Sequence, residues 1–281
     1  VTAFPSSICH SEILIQKLGR APNMRKFLIA STIISAFTMA GSVMAAPVAS
    51  STWTGYYIGG NVGYGWGDDS MSSTGRYLLG AGGALPPGSA TQHMDGAFVG
   101  VQGGYNWQFA PAWVAGLEAD FQFSAIQGTV ECFFACNTGG RAFGVRYSEF
   151  TVSDRLNSFG TVRGRFGYAM GSTLFYGTGG LAFGDINRSD TVVGSSGAFG
   201  PFAGGYGASV TKTGWAAGGG IETKLSAAWT AKVEYLHIDL GHVSDTVNEV
   251  YVAPVAGAYQ LITTSIRDDI VRLGVNYQFN H

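Results

Sequence analysis

Tyr56–Trp66 reads YYIGGNVGYGW, two sequences interleaved residue by residue. The even positions are Tyr56, Ile58, Gly60, Val62, Tyr64 and Trp66; the odd ones are Tyr57, Gly59, Asn61, Gly63 and Gly65. Successive side chains of a strand point to opposite faces, so one face is apolar and aromatic and the other small and polar. The same alternation returns seven more times along the chain. An apolar outer face with aromatic ends, backed by a polar inner face, is the pattern of a β-barrel built into an outer membrane.

Composition agrees. Charged residues make up 12% of the chain, glycine reaches 43 residues, and no apolar run is long enough for a spanning helix. Near the N-terminus, Met24 opens a secretory signal: Arg25 and Lys26 form its positive end, Phe27–Ala40 its apolar core, and Val43-Met44-Ala45 its cleavage motif. The expected organisation is therefore an upstream extension at 1–23, a signal peptide at 24–45 and a barrel domain at 46–281. Removing the leader takes away Lys17, Arg20, Arg25, Lys26 and Glu12, which leaves a mildly acidic exported chain with no footprint for nucleic acid. Cys9 goes with the leader. Cys132 and Cys136 remain as a candidate disulfide, permitted by export and too few for a structural zinc site.

Eight strands can be laid at 54–66, 96–109, 113–126, 158–170, 173–184, 214–225, 229–240 and 266–279. Three connections are short: Ala110-Pro111-Ala112, Gly171-Ser172 and Ser226-Ala227-Ala228. Four are long and rich in Gly, Ser, Asp and Thr, at 67–95, 127–157, 185–213 and 241–265. Short periplasmic turns alternating with long extracellular loops are the rule for such barrels. Gly171-Ser172 suits a two-residue hairpin that pairs Met170 with Thr173 and turns Phe175, Leu181 and Phe183 outward. The fold class is all-β, an eight-stranded antiparallel transmembrane barrel. The outward positions within the core of each span carry no charge, as a wall facing lipid requires. Trp107, Phe109, Trp113, Tyr168, Trp229, Tyr277 and Phe279 make a periplasmic girdle, and Tyr64, Trp66, Phe121, Phe123, Phe183 and Trp215 an outer one. A soluble sandwich or lipocalin also alternates, but it would place Lys, Glu and Thr on its solvent face.

Nine charges fall on the inward parity: Glu118, Asp120, Arg163, Arg165, Glu222, Lys224, Lys232, Glu234 and Arg272. A three-residue turn sets Glu222 opposite Lys232, so these two are expected to pair. A lumen only wide enough for side chains would be largely filled by such a network. The structural reading is a polar core that holds the strands; the functional alternative is a charge-lined diffusion porin for small hydrophilic solutes. Catalytic signals are thin. His237 and Asp239 stand two apart with Ser244 nearby, the raw material of a membrane-embedded lipid hydrolase, but there is no GxSxG elbow. No cofactor or metal motif is present in the sequence. In the loops, Arg141, Arg146, Arg155 and Arg188 alternate with Glu131, Glu149, Asp154 and Asp190, a hydrated mixed-charge surface suited to binding.

The ordered motifs WTGYYIGGNVGYGWG, GGYNWQF, VAGLEADFQFSAIQG, FGTVRGRFGYA, YGTGGLAFGD, AKVEYLHIDLG and VRLGVNYQF span residues 53 to 279. Together they resemble the small outer-membrane barrels of alphaproteobacteria, the Brucella and rhizobial immunogenic proteins of the porin-family or opacity-like type. The resemblance implies an eight-stranded barrel, surface exposure and, for some members, a role in envelope integrity or host interaction; it does not imply a catalytic site. Partners so implied are outer-membrane lipid, the barrel-assembly machinery reading Tyr277 and Phe279 as a C-terminal signal, and host or envelope ligands at the loops. Such chains commonly end on the aromatic residue, whereas Asn280 and His281 follow Phe279 here.

Overall fold

The computed structural model describes residues 52–76, 88–131, 141–142, 145–196, 200–248 and 259–279. The leader and the Cys132/Cys136 pair lie outside the described residues. The described residues form nine strands: β1 (Gly55–Arg76), β2 (Gly88–Gln108), β3 (Trp113–Glu131), β4 (Arg141–Ala142), β5 (Val145–Met170), β6 (Thr173–Ser196), β7 (Gly200–Lys224), β8 (Trp229–Asn248) and β9 (Tyr259–Gln278). β4 is a two-residue rung on β5. The other eight pair antiparallel in sequence order, and the β1–β9 pairing closes the ring.

The alternation read in Tyr56–Trp66 survives in three dimensions. Tyr56, Ile58 and Val62 are 64%, 57% and 55% exposed, whereas Tyr57 and Asn61 are buried in the lumen. Exposed Val99, Leu117, Phe123, Val162, Leu181 and Trp215 continue the apolar exterior around the barrel. The turn at Gly171 takes a φ of 61°, which glycine adopts without steric cost, and Met170 pairs with Thr173. Phe175 and Leu181 are accordingly exposed.

The wall is taller than the sequence suggests. Most of 67–95, 127–157, 185–213 and 241–265, expected as loops, is strand. Gly, Ser, Thr and Asp are weak strand formers alone, but a strand already paired in a rigid barrel offers its neighbour a template, and context overrides propensity. Above the membrane band the ring opens in two places. β7–β8 pairing ends at Trp215↔Asp239, and β2–β3 pairing ends at Asp95↔Gln127. The remaining ladders run on, to Ser73↔Gly88, Glu131↔Thr151, Ser196↔Gly200 and Asn248↔Tyr259. The outer extension is thus two four-stranded sheets, β8-β9-β1-β2 and β3-β5-β6-β7.

Three irregularities sit near the same level: between Phe123 and Ile126 on β3, Leu156 and Ser158 on β5, and Asp239 and Gly241 on β8. At the last, Gly241 adopts φ 74° and donates its N–H to Asp239 Oδ1 at 2.8 Å. The bulges on β5 and β8 exchange the inward and outward parity beyond them, whereas β3 keeps its even-numbered residues inward on both sides. As a result Asp154, read from sequence as a loop-surface charge, is buried between the sheets; Arg188 and Asp190 are buried because the even-numbered parity of β6 runs on unbroken, while Arg155 and Glu131 are exposed.

Candidate functional site in the filled lumen

The lumen is layered from the periplasmic end upward. Trp53 folds back under the strands and packs with Val114, Leu174 and Tyr176 as an apolar plug. Its backbone N–H donates to Gln108 Oε1 at 2.9 Å, and Gln278 Nε2 donates to its carbonyl at 3.1 Å. Lys224 lies here too. Its ammonium stands 4.8 Å from the Trp53 ring centroid and donates to the Thr52 carbonyl at 2.9 Å.

Above the plug is the charge network, and all nine inward charges are buried in it or at its lower rim. Glu118 is the hub. Its carboxylate accepts from Arg163 at 2.7 Å, from Lys232 at 2.7 and 2.8 Å, from Arg272 at 3.0 Å and from the Tyr57 hydroxyl at 2.8 Å. Asp120 accepts from Arg163 at 2.9 Å, Arg272 at 3.1 Å and the Thr161 hydroxyl at 2.7 Å. Glu234 takes Arg272 Nε at 2.6 Å and the Tyr176 hydroxyl at 2.9 Å.

Glu222 stands opposite Lys232 in the ladder, yet the two do not bond as the turn geometry suggested. Arg165 reaches Glu222 at 2.6 Å, with Thr230 and Asn276 completing that carboxylate at 2.6 and 2.9 Å, while Lys232 crosses to Glu118. The reason is geometric. Long side chains in a narrow barrel all aim at the axis, so a charged tip can reach partners across the lumen as well as on the adjoining strand; Glu118–Arg163 and Glu234–Arg272 bond to the opposed neighbour, whereas Lys232 and Arg165 reach further. Arg165 also lies 4.0 Å from the Tyr176 ring centroid, a cation–π contact.

The third layer was missed in the sequence. Phe98, Ile126, Leu156, Phe159, Leu236 and Ile270, with further buried aliphatic side chains, form a continuous apolar core across the lumen above the charges. Phe98 and Phe159 meet edge to face at 5.2 Å. Phe98, Leu236 and Ile270 stand on the inward parity of their strands, so a scan of that parity for apolar residues would have found part of this layer. Tyr57, Tyr176, Thr161 and Asn276 were likewise overlooked as partners of the charges.

The hydrolase residues do not assemble. His237 faces outward and its Nδ1 lies 2.8 Å from Asp269 Oδ1, which also accepts the Tyr235 hydroxyl at 2.7 Å. Asp239 instead holds Arg267 at 2.9 Å, and Ser244 bonds Thr263 at 3.1 Å. Among the described residues no three His, Cys, Asp or Glu side chains converge as a metal set. At the C-terminus, Tyr277 stacks edge-on with Trp229 and Phe279 at 5.2 and 5.4 Å, and the Phe279 N–H donates to the Tyr56 carbonyl at 2.9 Å.

A closed antiparallel barrel with an apolar outer band, aromatic girdles and buried ion pairs inside is a bacterial outer-membrane protein. The family model for the outer membrane protein beta-barrel domain matches residues 34–279, and the chain belongs to that family. It is 32% identical over 249 residues to the 31 kDa outer-membrane immunogenic protein of Brucella melitensis biotype 1, covering 84% of this chain and 87% of that one. The protein of the same name from Brucella suis biovar 1 matches with the same figures. Among solved structures, the outer membrane protein OprG from Pseudomonas aeruginosa aligns with a TM-score of 0.43 at 12% identity, over 81% of this chain and 97% of that one.

Proposed function

We propose that this protein is a sealed, non-enzymatic structural barrel of the outer membrane, and that its two-sheet extension supplies contacts at the cell surface. One observation carries the reading: the charge network is sandwiched between two apolar layers, the Trp53 plug and the Phe98–Phe159 core. A hydrated ion crossing either layer would have to shed much of its water among tightly packed apolar side chains, and apolar constrictions block conduction by dewetting. The printed name of the Brucella relatives, an immunogenic protein, supports exposure at the surface. Because wall and lumen are both filled, recognition of host or envelope ligands falls to the outer extension.

A strain lacking the protein provides the test. It is expected to gain sensitivity to detergents, to lose surface reactivity toward antibody raised against the barrel, and to take up small hydrophilic solutes at the normal rate. Slowed solute uptake with an intact detergent barrier would overturn the proposal in favour of a diffusion porin.

A further inference from the structure

The seam that joins the first and last strands of the ring is interrupted. Pairing of β1 with β9 stops at Gly67↔Asp268 and resumes at Met71↔Thr264. Within the interruption Asp69 turns toward β9, and its Oδ1 accepts the backbone N–H of Arg267 at 3.0 Å. Asp268 is the next residue. Both carboxylates are buried, Asp69 at 0% and Asp268 at 1% exposure. Asp69 Oδ2 and both oxygens of Asp268 have no hydrogen-bond partner, a costly arrangement for buried carboxylates.

Gly67 completes the niche. A Cβ at that position would lie 2.3 Å from the Arg267 carbonyl oxygen and 2.8 Å from Asp268 Oδ1. The bare glycine therefore lets the Arg267 carbonyl and the Asp268 carboxylate approach β1 two residues from Asp69. The groups facing Asp69 make its environment more negative still. Burial pushes its carboxyl up from 3.8 to about 8, with the charges of Asp268, Asp154 and Asp68 adding to the effect against the Arg267 N–H. Arg188, on the opposite sheet, is held by Asp154 at 2.8 and 2.9 Å and by Thr264 at 2.5 Å.

We propose that this niche binds a divalent cation, Ca²⁺ in preference to Mg²⁺, with Asp69 and Asp268 as its side-chain ligands. Ca²⁺ accepts carboxylates, backbone carbonyls and water in a flexible shell of about six to eight oxygens, whereas Mg²⁺ demands a near-ideal octahedron. Two carboxylates and the Arg267 carbonyl supply the protein share, and water supplies the rest. The ion neutralises two adjacent buried charges and ties β1 to β9, the strands whose pairing closes the barrel. The niche lies buried where the membrane band gives way to the outer extension.

The experiment uses the full-length protein refolded in detergent micelles, with Tb³⁺ as a luminescent probe, Ca²⁺ and Mg²⁺ as competitors, and thermal unfolding in Ca²⁺ or chelator. Wild type should bind Tb³⁺, release it to Ca²⁺ more readily than to Mg²⁺, and unfold at a higher temperature in Ca²⁺. Removing groups that merely orient a metal's ligands costs about 10–100-fold in affinity, so D69N and D268N should each weaken binding by about tenfold or more. Absence of Tb³⁺ and Ca²⁺ binding at millimolar concentration, or binding undiminished in both variants, would overturn the proposal. So would an unfolding temperature that is the same in Ca²⁺ and in chelator. If D268N fails to assemble, D69N and the wild-type titration decide the matter.

Discussion

Replacing Glu118 by glutamine is expected to cost the barrel about 3–5 kcal/mol, the loss typical of a buried ion pair stripped of one partner. The substitution barely changes shape, so the effect isolates charge. Glu118 is 3% exposed and receives Arg163, Lys232 and Arg272 within 3.0 Å. With glutamine, those cations lose their shared anion in a space closed by apolar layers on both sides. The amide also offers N–H donors to groups that are donors themselves. Urea unfolding of the refolded barrel in lipid vesicles, with heat-shifted gel mobility as a check on assembly, measures the loss. Stability within about 1 kcal/mol of wild type would mean that water screens the network, and the filled-lumen account would fail. Pairwise rescue is not expected. A second change at Lys232 still leaves Arg163 and Arg272 facing a missing charge, because the hub serves several partners at once.

The neighbouring residue gives the second large effect through the opposite face of the wall. Leu117 is 67% exposed on the apolar exterior. Leu117→Arg should destabilise the barrel by about 2–4 kcal/mol in a bilayer, the cost of a cation on the lipid face near the midplane. In detergent micelles, where water and headgroups reach the wall more easily, the loss should shrink. Equal stability of wild type and variant in bilayers would place Leu117 outside the hydrocarbon and contradict the assigned membrane band.

How much of this was legible in the sequence depends on how local the determining physics is. Strand parity is local, which is why the faces of Tyr56–Trp66 and the Met170–Thr173 turn could be read directly. The opposition of Glu222 and Lys232 follows from one hairpin and is also local. Their partners are not. Which carboxylate Lys232 reaches is set by the shear of the whole ring and by competition with Arg163, Arg165 and Arg272 for the axis. The outer extension was hidden twice over. Its Gly, Ser and Thr content resembles loop, and the bulge between Leu156 and Ser158 reverses parity. A period-two scan carried through Ser158 turns Leu156 and Asp154 outward, whereas both are buried. Of the apolar layer, only Leu156 and Val243 lie beyond a parity reversal, on β5 and β8; Phe98, Ile126, Phe159, Leu236 and Ile270 keep the inward parity of their strands.

Single-channel recording of the refolded protein in planar bilayers shows whether the lumen is sealed. A lumen closed by the Trp53 plug below the charges and the Phe98–Phe159 core above them predicts a flat baseline at every holding potential, after insertion verified by heat-shifted mobility. Reproducible ohmic steps with a stable open level, of one size from one preparation to the next, would contradict it.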